Sequence, residues 1–110
     1  MYMKILKFRK YLVPLVLSGS KSATWRLFDD KNMFIGDVIE LQEFVTNKAF
    51  GKASIVDVVE KSFGELNNDD KTGHEDFDSD EEMYATYSKY YKTEVNQNTK
   101  LKIIRFELIN

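Results

Sequence analysis

Alternating apolar residues over several strand-length stretches, two stretches with helical stripes and a size near that of one domain predict a strand-rich α+β fold with about two helices. A chain of 110 residues buries roughly two-thirds of the surface that its unfolded form exposes, so one core is expected and residues 1–110 read as a single domain. The hydrophobic share of 43% and charged share of 31% are ordinary for a globular protein and exclude wholesale disorder. There is no cysteine, which removes disulfides, thiolate metal sites and thiol nucleophiles together and fits a reducing compartment.

Lys4 to Phe8 reads as the first strand. From Lys10 to Ser18 a short helix is expected: Pro14 fits a first turn, Leu12, Leu15 and Val16 form an apolar stripe, and Gly19 ends it. Ser20 to Phe28, with β-branched and aromatic residues, reads as a second strand. A turn at Gly36-Asp37 launches Val38 to Val45, in which Ile39, Leu41 and Val45 share one face and Glu40 and Gln42 the other. Ala49 to Val59 follows as a strand whose small residues Ala49, Gly51 and Ala53 suit a sharply curved sheet.

The acidic stretch Asn67 to Asp78 reads as a polar loop ending at a strong helix start. Ser79 and Glu82 have capping-box spacing, and Asp80 and Glu81 suit the positive end of the helix dipole. The stripe Met83, Tyr87, Tyr90 and Tyr91 reads as core packing with hydroxyls reaching the surface; a platform for bases is the alternative. The last strand, Lys100 to Ile109, puts Ile104, Phe106 and Leu108 on one face and Ile103, Arg105 and Glu107 on the other.

Lys4, Lys7, Arg9 and Lys10 ahead of Tyr11 to Leu17 have the order of a secretory leader, but that apolar run is short and holds Pro14. No stretch approaches the roughly 20 apolar residues of a membrane helix, so a soluble, cytoplasmic protein without a membrane partner is expected. Net charge is only −2, yet Lys4, Lys7, Arg9, Lys10, Lys21 and Arg26 precede any acid, while Glu65 to Glu82 carries nine acids against Lys71 alone. The basic end either attracts phosphate or complements the acidic end within the fold.

Chemistry concentrates in Gly19-Ser20-Lys21-Ser22-Ala23-Thr24-Trp25-Arg26, which places an ammonium, hydroxyls and a guanidinium at the start of a strand. A hydroxyl beside a lysine can act as nucleophile and base, and a guanidinium fork suits phosphate or carbonyl recognition. On a regular strand Lys21 and Thr24 point to opposite faces, so they meet only if the chain turns near Ser22; otherwise the segment is an exposed turn followed by a cross-strand threonine. His74, the only histidine, lacks the company of ligands that a metal needs, and no metal or cofactor is expected.

These eight residues resemble the ASCH domain signature G-x-K-x-x-T-x-R, in the PUA-like superfamily. Asp29-Asp30-Lys31-Asn32 leading to Ile35-Gly36-Asp37, and Gly73-His74-Glu75-Asp76-Phe77 followed by Ser79 to Met83, resemble the later elements of the same family, in order. The resemblance implies a PUA-like small β-barrel with packed helices and a cleft across one face, acting on RNA or modified nucleosides. ASCH domains were proposed as RNA-binding modules, and a stand-alone bacterial branch hydrolyses the acetyl amide of N4-acetylcytidine with a Thr, a Lys and a Glu. Carried over, Thr24 is the nucleophile, Lys21 its activator and Glu75 the carboxylate, with Asp76 as competitor. Trp25, the His74 loop and the acidic stretch depart from that branch. The alternative is a non-catalytic RNA binder using Lys4, Lys7, Arg9, Ser22, Trp25 and Arg26.

Overall fold

The computed structural model describes residues 4–27, 32–74 and 76–109. Strand β1, Lys4–Phe8, buries Leu6 and Phe8 and runs into a 3-10 turn at Lys10–Leu12 and helix α1, Val13–Ser18. Pro14 sits in the first turn of α1, where its missing N–H has no partner to lose. Gly19 closes the helix at φ 87°, a left-handed conformation open to glycine. Strand β2 is shorter than expected, Ala23–Arg26, because Ser20 to Ser22 form no ladder; Phe28 lies outside the described residues.

Strand β3, Val38–Glu43, stops two residues before the expected end. The chain turns at Val45, which takes φ 86° and is 80% exposed, so it does not share the buried face of Ile39 and Leu41. Strand β4, Ala49–Ser62, runs three residues further than expected. The acidic stretch is not loop throughout: Asn67 caps a one-turn helix α2, Asn68–Lys71, by accepting from Asp70 N–H at 2.9 Å. Helix α3, Asp80–Tyr91, starts where expected, with Ser79 Oγ accepting from Glu82 N–H at 3.1 Å. Strand β5 is Lys100–Ile109.

The five strands form one mixed sheet, in the order β1-β3-β4-β5-β2, curled into a half-barrel. Among the described residues only the β1–β3 pair is parallel, and the chain makes the required crossover through α1 and β2, which lands on the far edge of the sheet. A bulge between Ile55 and Asp57 leaves Val56 without a partner on β5, and such an extra residue bends the strand.

The sheet is apolar on both faces. Leu6, Phe8, Leu12, Val16, Ile39, Leu41, Ile55, Ile104 and Phe106 pack on one side. Trp25, Leu27, Phe63, Met83, Tyr87, Leu101 and Ile103 pack under α3 on the other. Adjacent residues Ile103 and Ile104 thus serve opposite cores, as strand alternation dictates. Among the described residues no helix is long and apolar enough to cross a membrane.

Candidate functional site

The edges of the half-barrel, β1 and β2, are not paired to each other, and the site lies in the gap between them. Lys21 N–H donates to Leu15 O at 3.0 Å, which folds the chain back over α1 before β2 begins. Lys21 and Ser22 are therefore irregular, and strict strand parity does not apply to Lys21 and Thr24. Both side chains line one cleft, and both are buried, at 3% and 4% exposure. Lys21 Nζ donates to Ala23 O at 2.9 Å.

Arg26 bridges the open edges. Its Nε donates to Thr24 Oγ1 at 3.0 Å, its Nη2 donates to Lys7 O on β1 at 2.6 Å, and its guanidinium lies 5.2 Å from the Phe8 ring centroid. The Thr24 hydroxyl thus accepts from a fixed cation while its own proton stays available for transfer.

The cleft holds about 300 Å³ and is walled by Phe8, Leu12, Trp25, Phe44, Tyr87, Tyr90 and Tyr91, together with the polar groups above and His74. Trp25 stacks on the His74 ring at 3.8 Å between centroids. The expectation that the tyrosine hydroxyls reach the surface holds for Tyr90, whose pair with Tyr11 is exposed, but not for Tyr87, whose hydroxyl is bonded in the interior. Tyr87 Oη pairs with His74 Nε2 at 3.0 Å, Tyr91 Oη accepts from Leu27 N–H at 3.1 Å, and Tyr90 Oη pairs with Tyr11 Oη. Tyr87 packs in the core beneath α3 while also lining the cleft, so core and platform are not exclusive roles.

The loop carrying His74 is docked against the same strand. Gly73 O accepts from both Ser22 N–H and Ala23 N–H, at 2.8 and 3.1 Å. Arg105 donates from Nη1 to Thr72 O at 2.7 Å and from Nη2 to Asp69 O, and Lys61 Nζ meets Asp70 Oδ2 at 2.8 Å. The acidic stretch is therefore tied to the sheet by Lys61 of β4, through a carboxylate, and by Arg105 of β5, through backbone carbonyls; neither cation belongs to the basic N-terminal end.

Of the residues expected at a site, Lys7, Arg9, Lys21, Thr24, Trp25 and Arg26 line the cleft. Lys4 and Ser22 do not: Lys4 Nζ pairs with Asp37 Oδ2 at 2.8 Å, and the Ser22 backbone N–H donates to Gly73 O. The Lys4 ammonium and the Phe34 N–H hold the Asp37 carboxyl below the usual carboxylate range. Glu75 lies outside the described residues. Asp76 lines a second, smaller pocket with Phe77, Asp78 and Asp80, and Trp25 also borders that pocket. The lining residues not anticipated in this role are Phe8, Leu12, Phe44 and His74. No spacing rule on one strand reveals them, since they come from β1, the turn that follows it, the end of β3 and the docked loop. Among the described residues no group of three or more His, Asp or Glu side chains is placed to hold a metal.

No protein-family model matches the chain, and no curated protein sequence matches it. Solved structures do. The chain is similar to a protein from Enterococcus faecalis at 16% identity and TM-score 0.79, covering 99% of this chain and 82% of that one. It is similar to an ASCH domain from Lactobacillus crispatus at 13% identity and TM-score 0.66, covering 97% and 80%. It is also similar to the ASCH protein of Zymomonas mobilis at 12% identity and TM-score 0.66, covering 96% and 71%. At these identities the likeness speaks for the fold alone: this chain has the same small α+β fold as these ASCH domain structures.

Proposed function

We propose that the cleft binds a cytosine nucleoside and hydrolyses an amide on its exocyclic nitrogen, as in N4-acetylcytidine, with Thr24 as nucleophile. The observation that carries this reading is the burial of Lys21 and Thr24 in one aromatic-walled cleft, with the Arg26 guanidinium donating to the threonine hydroxyl. A positive charge at hydrogen-bond distance favours the alkoxide, and Lys21, buried in the same cleft, is the residue of the motif able to take the proton.

The reaction follows in two steps. Thr24 Oγ attacks the acetyl carbon as its proton passes to Lys21 Nζ, which enters the reaction as the neutral amine; a new C–O bond forms, and the carbonyl oxygen takes the negative charge beside Arg26. Collapse breaks the C–N bond, the amine nitrogen receives the proton, and cytidine leaves. Water then attacks the threonine ester, releasing acetate and restoring the hydroxyl. Glu75 is the carboxylate assigned by resemblance to orient Lys21. Its rival Asp76 faces the other pocket, which favours Glu75. A volume of about 300 Å³ suits a small ligand better than a polynucleotide strand.

The test is acetate release from N4-acetylcytidine by the wild type and by Thr24→Ala. The variant is expected to lose at least about a hundredfold in kcat while keeping its fold by circular dichroism. Undiminished turnover would reject the assignment. The non-catalytic RNA-binding reading has less support, because Lys4 is taken up by Asp37 and neither Lys4 nor Ser22 lines the cleft. It would regain the lead if purified protein ignored the nucleoside yet bound RNA with steep salt dependence.

A further inference from the structure

The chain carries a net charge of −2, yet the described residues lining the cleft include Lys7, Arg9, Lys21 and Arg26 and no carboxylate. Two of these four are committed to the hydroxyl chemistry or to bridging the strand edges, as set out above. Lys7 and Arg9 are not. Lys7 lies in β1 and Arg9 just past its end with the backbone still extended, so the two, two apart, project from the same side of the chain.

Arg9 is in contact with two aromatic rings. Its guanidinium lies 4.1 Å from the Tyr90 ring centroid and 5.3 Å from that of Phe44, and both rings line the cleft. Stacking restrains the plane of the fork and leaves its edge N–H donors for an acceptor. Neither Lys7 nor Arg9 has a carboxylate within ion-pair distance among the described residues. A cation pair of this kind, one member oriented by two rings, matches a doubly charged group with several acceptor oxygens.

Resting on the proposed nucleoside reading, we infer that Lys7 and Arg9 form a phosphate subsite at the mouth of the cleft, so that its preferred ligand is a cytidine nucleotide bearing a phosphomonoester. The Arg26 guanidinium touches both Thr24 Oγ1 and the Lys7 carbonyl, so one side chain spans the interval from the reacting hydroxyl to the β1 rim. Base and phosphate then occupy opposite ends of that span.

Isothermal titration of cytidine, cytidine 5′-monophosphate and a short 5′-phosphorylated RNA into the wild type, Lys7→Gln, Arg9→Gln and Arg9→Lys tests this. The monophosphate should bind at least about tenfold more tightly than cytidine at low salt. That ratio should fall toward one in Lys7→Gln and Arg9→Gln and recover in part in Arg9→Lys; thermal melts confirm that each variant is folded. If the RNA outdoes the mononucleotide, the phosphate subsite serves a strand and the mononucleotide assignment is overturned. Equal affinity for cytidine and its monophosphate, or a ratio unchanged in both glutamine variants, overturns the subsite and leaves the nucleoside reading standing. Absence of binding by all three ligands overturns both.

Discussion

Gly73 shows how one residue sets the position of the site. It takes φ 79°, and a Cβ there would fall 2.2 Å from Ser22 Oγ, while its carbonyl receives two N–H groups from the start of β2. A side chain would meet left-handed strain and also push the His74 loop off the strand. Gly73→Ala should therefore cost about 1–3 kcal/mol in chemical denaturation. Adding Ser22→Ala should return part of that loss, because the serine oxygen is the nearest obstacle. Full stability in Gly73→Ala would show that the contact carries no weight.

At the level of elements, α2 is a single turn that cannot hold itself in water, and its place depends on side chains from the sheet. Partial burial pushes the Asp70 carboxyl up, but the donating Lys61 ammonium and the Asn67 N–H outweigh it, and Asp70 ends below the ordinary carboxylate range. A carboxyl lowered in the folded state stabilises fully above its unfolded pKa of about 3.9, and that contribution is lost as pH falls through the folded value. The stability advantage of the wild type over Asp70→Asn should thus be present at neutral pH and shrink in acid below about pH 4. Urea midpoints measured from pH 2 to 7 check this. A difference that stays constant across that range would exclude the ion pair as its source.

Across the whole molecule, β5 joins the two cores. Ile104 is fully buried on one side and Ile103 is 2% exposed on the other, whereas Leu108 near the strand's end is 38% exposed. Ile104→Ala should cost about 2–5 kcal/mol, since deleting buried methyl groups loses transfer energy and leaves a cavity. Leu108→Ala should cost distinctly less, and thermal melts of the two variants side by side measure the contrast. The same two-sided burial explains a limit of periodicity. Reading β5 as one face with Ile104, Phe106 and Leu108 is correct in alternation, but Ile103 on the opposite face is core as well, because α3 covers it.

Local rules located β1, the short helix before Gly19, the start of α3 at Ser79 and the closing strand, because capping, turn residues and alternation act between neighbours in the chain. The same rules picked out Lys21, Thr24 and Arg26 from one short segment. They overran β2 and β3, where a return contact to α1 and a left-handed Val45 end the ladder, and they missed α2, which sits where Lys61 and Arg105 reach it. Whether an ammonium and a hydroxyl three positions apart share a wall depended on Lys21 N–H finding Leu15 O. Which aromatic rings surround them depended on α3 packing its side chains against Trp25 and on the His74 loop docking at Gly73 O. Contacts between distant segments form when the sheet closes around its cores, and no local pattern along the chain encodes their partners.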